Sequence, residues 1–213
     1  MSNYAKLCQE WSEKFLQMNA KELMEKLPEL KDEGDYLTLY LFARKLGIQK
    51  ETGKIEAMED DRLVSNNTKL NVYTLFGYCK EYAALTGRWV PFRDLRGASP
   101  FAPAFQKGIL EPLAATFAGH AEELEQACIQ LGGTKLEHGD VGYELKSFDC
   151  MPVRIFFWDE DEEFSAQANI LFDYSATDFI HVESTVSIAM EALYRLAEVA
   201  GLALKGSTFG MDG

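Results

Sequence analysis

Five consecutive carboxylates, Asp159 to Glu163, form the densest charged motif of the chain, directly after the apolar segment 153–158. Like charges this close repel one another unless water, a cation or a basic partner compensates them. Alternate side chains of an extended strand point to the same face, so Asp159 and Asp161 would share one face and Glu160 would lie on the other. One of these faces could point into a cleft. Because charge runs are usually solvated, the pattern favours an exposed hairpin turn, with a cation or basic-partner site as the alternative.

A second polar group, Asp173, Asp178, His181 and Glu183, lies between the last predicted strand and the last predicted helix. Carboxylates and an imidazole could ligate a divalent cation or transfer protons. Helix capping explains the same residues, since the spacing of Ser175 and Asp178 is that of a capping box. A glutamate in the first turn also suits the helix dipole. Capping is the favoured interpretation.

The third candidate is a basic and aromatic segment that contains Arg88, Arg93 and Arg96 together with Trp89 and Phe92. Three arginines and one aspartate give residues 86–100 a charge of +2, in a chain with a net charge of −13. Forked guanidinium groups beside aromatic rings can hold an anionic or planar ligand. Ion pairing of these arginines with the acidic run is an equally good explanation.

These motifs predict a cleft in which the arginine segment lies near the acidic hairpin. The predicted ligand-binding residues are Arg88, Trp89, Arg93, Trp158, Asp161, Glu163, Asp173, Asp178, His181 and Glu183. No catalytic residue, cofactor or metal-ligand set is assigned, because the chain has no GxSxG, HExxH or CxxC motif. The four cysteines are isolated in sequence and are expected to be free thiols.

Hydrophobic periodicity places these residues on an α+β fold, with mostly antiparallel sheets packed against several helices. Helices are predicted over 3–27 with a break near Asn19, from Asn66 or Asn67 to about 85, and over 101–118, 120–131 and 181–200. Strands are predicted over 36–44, 89–92, 141–148, 153–158 and 166–172, with a hairpin around Gly53 and a polar linker at 31–35. The last helix is expected to cover the last three strands. We expect one domain over 1–205 with a helical N-terminal segment (1–30), and a flexible tail at 206–213.

Composition narrows the classes of partner. A net charge of −13 and a pI near 4.7 disfavour binding to nucleic acid or to anionic membranes. The sequence has neither a signal-peptide pattern nor an apolar run of about 20 residues, which predicts a cytoplasmic protein.

Several blocks resemble an uncharacterised domain family, a domain of unknown function, of anaerobic bacteria and archaea. The similar residues are Trp158, the DEEF turn at 161–164, the ILFD strand at 170–173, Glu183, and LTGRWVPFRDLRG at 85–97. The resemblance spans about 35–200, and Ser165 departs from the proline common there. The resemblance implies that some members of this family are fused to iron–sulfur modules. This implies a role in anaerobic metal-cofactor or one-carbon metabolism, beside a metalloenzyme or a corrinoid or iron–sulfur protein.

Three functional hypotheses follow. The first is a cytoplasmic binding or accessory protein of that metabolism. The alternative is a small-molecule enzyme with an arginine and carboxylate cleft, with or without a divalent cation. The third is self-association through an exposed edge of the aromatic strand at 36–42. The oligomeric state is left open.

Overall fold

The computed structural model describes residues 3–206 of the chain. It begins with two helices, α1 (Asn3–Phe15) and α2 (Ala20–Lys26). The side chain of Asn19 accepts a hydrogen bond from the Lys21 backbone N–H at 2.9 Å and caps α2, which confirms the predicted break. Most of the predicted tail, residues 207–213, lies outside the described residues.

The first sheet is antiparallel, in the order β1-β2-β3-β4. Its strands are β1 (Lys31–Glu33), β2 (Tyr36–Leu41), β3 (Arg44–Gln49) and β4 (Ile55–Ala57). Gly53, with φ +69°, lies in the β3–β4 turn as predicted.

Three expectations about this sheet are wrong. The polar linker expected at 31–35 contains the edge strand β1. All three side chains of β1 are charged and exposed, so its sequence shows no alternation of apolar and polar residues. The strand expected over 36–44 is interrupted by a turn at Phe42 and Ala43, which take positive φ without glycine. Strand β2 is an inner strand and not an edge strand, because β3 pairs with all of it on one side and β1 pairs with residues 36–38 on the other.

Helix α3 (Asn66–Tyr78) begins at the cap Ser65, whose hydroxyl accepts a hydrogen bond from the Thr68 backbone N–H at 3.0 Å. It ends earlier than predicted, at residue 78 and not near 85. Beyond it the Lys80 N–H donates to the carbonyl of Asp178 at 3.0 Å, a tertiary bond in place of a further helical turn.

The middle of the chain is an irregular helical region. It contains 3₁₀ turns at Phe92–Asp94 and Ser99–Phe101, then α4 (Ala102–Phe105), a π-helical turn (Gln106–Leu110), α5 (Glu111–Phe117) and α6 (Ala121–Gln130). The helix predicted over 101–118 is therefore interrupted. The π turn precedes Pro112, which lacks the N–H that a continuous α-helix would use.

The second sheet is also antiparallel, in the order β5-β9-β8-β7-β6. Its strands are β5 (Trp89–Pro91), β6 (Thr134–Lys135), β7 (Val141–Phe148), β8 (Met151–Trp158) and β9 (Gln167–Asp173). The apolar strand predicted over 153–158 is β8, and it lies at the centre of this sheet. The two sheets meet where the Phe42 N–H donates to the carbonyl of Ser147 at 2.9 Å.

Two helices close the described chain, the short α7 (Ala176–Phe179) and the long α8 (Val182–Ala200). Helix α8 follows the last strand, packs against α3 and α6, and ends at Gly201 with φ 68°. The α+β class with antiparallel sheets is confirmed. This packing leaves α1, α3 and α8 side by side at the site described below.

Candidate functional site

The acidic run forms the connection between β8 and β9, and two of its carboxylates bind backbone groups. Asp159 accepts hydrogen bonds from the Gly119 and Glu160 N–H groups, both at 2.8 Å. Asp161 accepts from the N–H groups of Glu163 and Phe164 at 2.8 Å, and these bonds lower the pKa of its carboxyl. The arrangement is that of an exposed turn held by its own aspartates. Trp158, before the run, is half-buried with its ring 5.4 Å from that of His138.

Asp173 is 1% exposed and holds together the loop before β5 and the end of β9. Its carboxylate accepts from the N–H and hydroxyl of Thr86 at 3.0 and 2.7 Å, and from the Gly87 N–H at 2.7 Å. The N–H and hydroxyl of Ser175 add bonds of 2.9 and 2.6 Å. Burial acts to raise the pKa of Asp173, but the bonds from Ser175 and Thr86 outweigh it and lower the pKa.

The other members of that polar group lie apart from Asp173. Asp178 pairs with Lys80 at 2.6 Å and with Arg96 at 3.4 Å. His181 caps α8, its Nδ1 accepting from the Glu183 N–H at 3.3 Å. Capping is therefore present, although it comes from His181 and not from the side chain of Ser175. Within residues 3–206, no group of three or more histidine, cysteine, aspartate or glutamate side chains is placed to hold a metal ion.

The arginine segment is distributed along β5 and the turn after it. The Arg88 guanidinium lies 4.5 Å from the centre of the Tyr174 ring, and Arg154 lies 4.0 Å from that of Trp89. Arg93 is exposed at the wall of a cavity of about 290 Å³ whose lining contains none of the predicted carboxylates. Arg96 pairs with Asp178 and not with the acidic run.

A larger cavity, of about 640 Å³, lies between α1, α3 and α8; we call it the three-helix cavity. Helix α1 contributes residues spaced by three or four, Tyr4, Leu7, Trp11 and Lys14. Helix α3 contributes Asn67, Leu70, Asn71, Thr74 and Tyr78 in the same way. The third wall is formed by His181, Glu183, Ser184, Val186, Ser187 and Met190, and Phe101 and Ala104 complete the lining. Its volume is within the range of small-molecule sites, roughly 300–1,000 Å³.

Asn71 is the most unusual residue of this cavity. It is 1% exposed, and neither its side-chain oxygen nor its nitrogen has a hydrogen-bond partner within the described chain. One turn earlier, the oxygen of Asn67 accepts from the Ser187 hydroxyl at 2.7 Å, while its buried amide nitrogen is unpaired among residues 3–206. Buried polar groups are nearly always paired, so these unpaired amide atoms are expected to lower the stability of the folded chain.

Aromatic rings form the other side of the cavity. The centres of the Trp11 and Tyr78 rings are 6.0 Å apart, and those of Tyr78 and His181 are 5.2 Å apart. Trp11 lies against the bare backbone of Gly77, where a Cβ atom would be only 2.5 Å from its ring. The cavity therefore pairs one amide wall with one aromatic wall.

Of the ten predicted site residues, His181 and Glu183 line the three-helix cavity. The sequence did not predict the other lining residues of this cavity, among them Asn71. An available signal was a polar residue within the apolar stripe of α3, one turn after Asn67. In the sequence that asparagine is indistinguishable from one on the solvent face, because the contacts that bury it come from other helices.

The structure is an α+β fold in which α1, α3 and α8 line a solvent-open cavity of small-molecule size. The chain belongs to the family described as Domain of unknown function (DUF3786), whose sequence model matches residues 21–195. This agrees with the predicted resemblance and includes the α3 and α8 walls of the cavity, while α1 precedes the match. No curated protein and no solved structure matches the chain. Across residues 3–206, none of the helices has both the length and the apolar character needed to cross a membrane.

Proposed function

We propose that the protein is a binding protein whose ligand occupies the three-helix cavity. The observation that carries this proposal is the cavity of about 640 Å³ between α1, α3 and α8, which has the size of a small-molecule site. The rings of Trp11, Tyr78 and His181 lie in succession along one side of it, with centres 6.0 and 5.2 Å apart. Aromatic rings that line a cavity of this size favour an apolar or aromatic ligand.

The chemistry of the lining supports binding more than catalysis. The most enclosed polar groups are amides and hydroxyls, which form hydrogen bonds but do not ionise near neutral pH. They belong to Asn67, Asn71, Thr74 and Ser187. The titratable residues Lys14, His181 and Glu183 are exposed, which places them at the rim.

The alternative enzyme with an arginine and carboxylate cleft has less support. Asp173 already accepts hydrogen bonds from Thr86, Gly87 and Ser175, and Asp178 is paired with Lys80. The cavity beside Arg93 is lined by none of the predicted carboxylates. The groups proposed to act together are thus engaged in separate structural roles.

The proposal is tested with indole as a probe, by saturation-transfer NMR of the ligand. Leu70 lines the cavity, so Leu70→Trp fills it and should abolish the signal that wild type gives. Leu63→Trp is the matched control, because Leu63 is 95% exposed and absent from the lining. Should Leu70→Trp fail to fold, Ala104→Trp at the exposed rim blocks entry instead. Equal saturation transfer in wild type and a folded blocking variant, or none in wild type, would overturn the proposal.

The family resemblance adds a context to this proposal. It implies a cytoplasmic accessory protein of anaerobic metabolism that works beside a metalloenzyme or a corrinoid or iron–sulfur protein. Both the compartment and the partner stay predictions. A pull-down from an anaerobic host that returned no metalloenzyme or corrinoid partner would count against the context and leave ligand binding in the cavity untouched.

A further inference from the structure

We infer that the three-helix cavity binds an organic ammonium ion, in which a methylated ammonium group is joined to an apolar body. The inference rests on the proposed function and specifies its ligand. It follows from the shape of the aromatic wall, from a lysine that already lies on this wall, and from a carboxylate at its other end. The side chains that carry it are exposed or half-buried, so a ligand can reach them.

The aromatic wall, formed by Trp11, Tyr78 and His181, is angular and not flat. The Trp11 and Tyr78 rings are inclined by 52° with centres 6.0 Å apart, and the Tyr78 and His181 rings by 45° with centres 5.2 Å apart. A flat ligand can stack on only one of these inclined rings at a time. A rounded methylated ammonium group can contact several rings at once, and groups of aromatic rings are the usual sites for such ions.

The chain itself places a cation on this wall. The Lys14 ammonium lies 4.4 Å from the centre of the Trp11 ring, within the roughly 6 Å over which a ring attracts a cation. Lys14 lines the cavity and is exposed, so its side chain can move into solvent when another cation binds. The wall is therefore suited to a cation, and Lys14 competes with the ligand for it.

The negative charge of the lining lies at the other end of the wall. Glu183 is exposed, and its Oε2 atom is 4.0 Å from the Nδ1 atom of His181. Because Nδ1 accepts a hydrogen bond from the Glu183 N–H, it carries no proton in this arrangement and does not neutralise the carboxylate. Within residues 3–206 Glu183 forms no ion pair with a lysine or arginine. An ammonium group beside Tyr78 and His181 would supply the missing positive charge.

The remaining side chains of the lining account for the apolar body. Leu70, Val186 and Met190 line the cavity and are half-buried or buried. The volume of about 640 Å³ is larger than a methylated ammonium group alone would fill. We therefore expect an aromatic or branched aliphatic body against these side chains, which distinguishes a free small molecule from a methylated lysine or a lipid headgroup.

The test compares two compounds of the same shape, 4-(hydroxymethyl)-N,N,N-trimethylanilinium and 4-tert-butylbenzyl alcohol, of which only the first is charged. Binding to the full chain is measured by ligand-observed NMR titration. Contact of the cation with aromatic rings should make the charged compound bind about threefold to thirtyfold more tightly. Leu70→Trp, or Ala104→Trp at the rim, should abolish binding of both compounds. This control separates binding in the cavity from general attraction of cations to an acidic chain.

Three substitutions at the wall should change the affinity in different directions. Glu183→Gln should weaken binding of the charged compound about twofold to fivefold. Lys14→Gln, which removes the competing cation, should strengthen it by a similar factor. The neutral compound should respond to neither change. Tyr78→Leu keeps an apolar side chain but removes a ring, so it should lower the affinity of the charged compound relative to the neutral one.

Matched controls change the same residue types outside the cavity lining. Lys6→Gln lies on α1, and Glu122→Gln lies in the first turn of α6 as Glu183 lies in that of α8. Tyr82→Leu removes an exposed ring that also has a lysine beside it, with the Lys80 ammonium 5.4 Å from the ring centre. All three should keep the wild-type ratio of the two affinities.

The outcomes separate the two proposals. Equal affinity of the two compounds in wild type, or an affinity for the charged compound that Lys14→Gln and Glu183→Gln leave unchanged, would refute the organic ammonium ligand. Tetramethylammonium that bound as tightly as the charged compound would refute the apolar body. In each of these cases indole binding that Leu70→Trp abolishes would still support the cavity as a binding site. If indole does not bind, the proposed function fails as well.

Discussion

Replacing Asn71 by leucine should stabilise the unliganded protein, although a buried polar residue is normally a poor site for substitution. Both polar atoms of Asn71 are buried without partners among residues 3–206. In most buried asparagines the substitution would remove hydrogen bonds and strand their partners. Here it removes two unpaired atoms and strands no partner that the described chain supplies.

The size of the effect follows from the burial of the side chain. Asn71 is 1% exposed, so the unpaired amide bears close to the full desolvation cost, about 1–3 kcal/mol. Leucine has the same branched shape, with two larger methyl groups in place of the oxygen and nitrogen, and adds apolar burial and a slightly better helix propensity. We expect a gain in the free energy of unfolding of about 1–3 kcal/mol. In a chain of this length that corresponds to a rise in Tm on the order of 5 °C.

Calorimetry and urea unfolding measure this gain, with a constant m value confirming that the unfolding transition is unchanged. Asn66→Leu serves as the control, because it makes the same change on α3 at a residue outside the cavity lining. The reasoning is refuted if Asn71→Leu lowers the free energy of unfolding while Asn66→Leu does not. That result would mean that the Asn71 amide has a structural partner.

Two further predictions concern the aromatic wall and the Asp173 network. Gly77→Ala should lower the free energy of unfolding by about 1–3 kcal/mol in urea, because the alanine Cβ would lie 2.5 Å from the Trp11 ring. Helix propensity alone would raise the stability, so an unchanged or higher free energy of unfolding would contradict the packing of Trp11 on Gly77. Asp173→Asn should cost about 2–4 kcal/mol at pH 7, because an NH₂ group would face the N–H and hydroxyl donors of Thr86, Gly87 and Ser175. Since the pKa of Asp173 is lowered in the folded chain, its stabilising effect is complete above its ordinary pKa near 4 and is lost as the pH falls through the folded pKa. The difference in stability between wild type and Asp173→Asn should therefore shrink below about pH 4, and a difference that stays constant there would argue against an ionised Asp173.

The sequence predicted the elements whose periodicity is strong. The central strand β8 follows from a nearly continuous apolar run, and α8 from an apolar stripe that begins after His181 and ends before Gly201. The turn at Gly53 is predicted by the glycine itself, because a tight hairpin turn needs a residue that can take positive φ. Each of these signals is local, because the residues that specify the element also form it.

The predictions of secondary structure are wrong where backbone pairing or contacts with distant residues decide whether a helix or strand forms or ends. Strand β1 has only exposed side chains and is a strand because its backbone pairs with β2. The turn at Phe42 and Ala43 lacks the glycine or asparagine that would have revealed it. Helix α3 ends at Tyr78, and the Lys80 N–H then bonds to the carbonyl of Asp178, about a hundred residues away in sequence.

The sequence by itself determined the α+β class, the family, the central strand and the position of the acidic turn. It also identified the polar residues at the start of α8, two of which reach the three-helix cavity. Only the tertiary structure decided which buried polar groups are paired. Asp173, prominent in the sequence, is satisfied by loops that fold over it, whereas Asn71 is buried without a partner in residues 3–206. Residue type gives the capacity to form hydrogen bonds, but packing between distant segments decides whether that capacity is used.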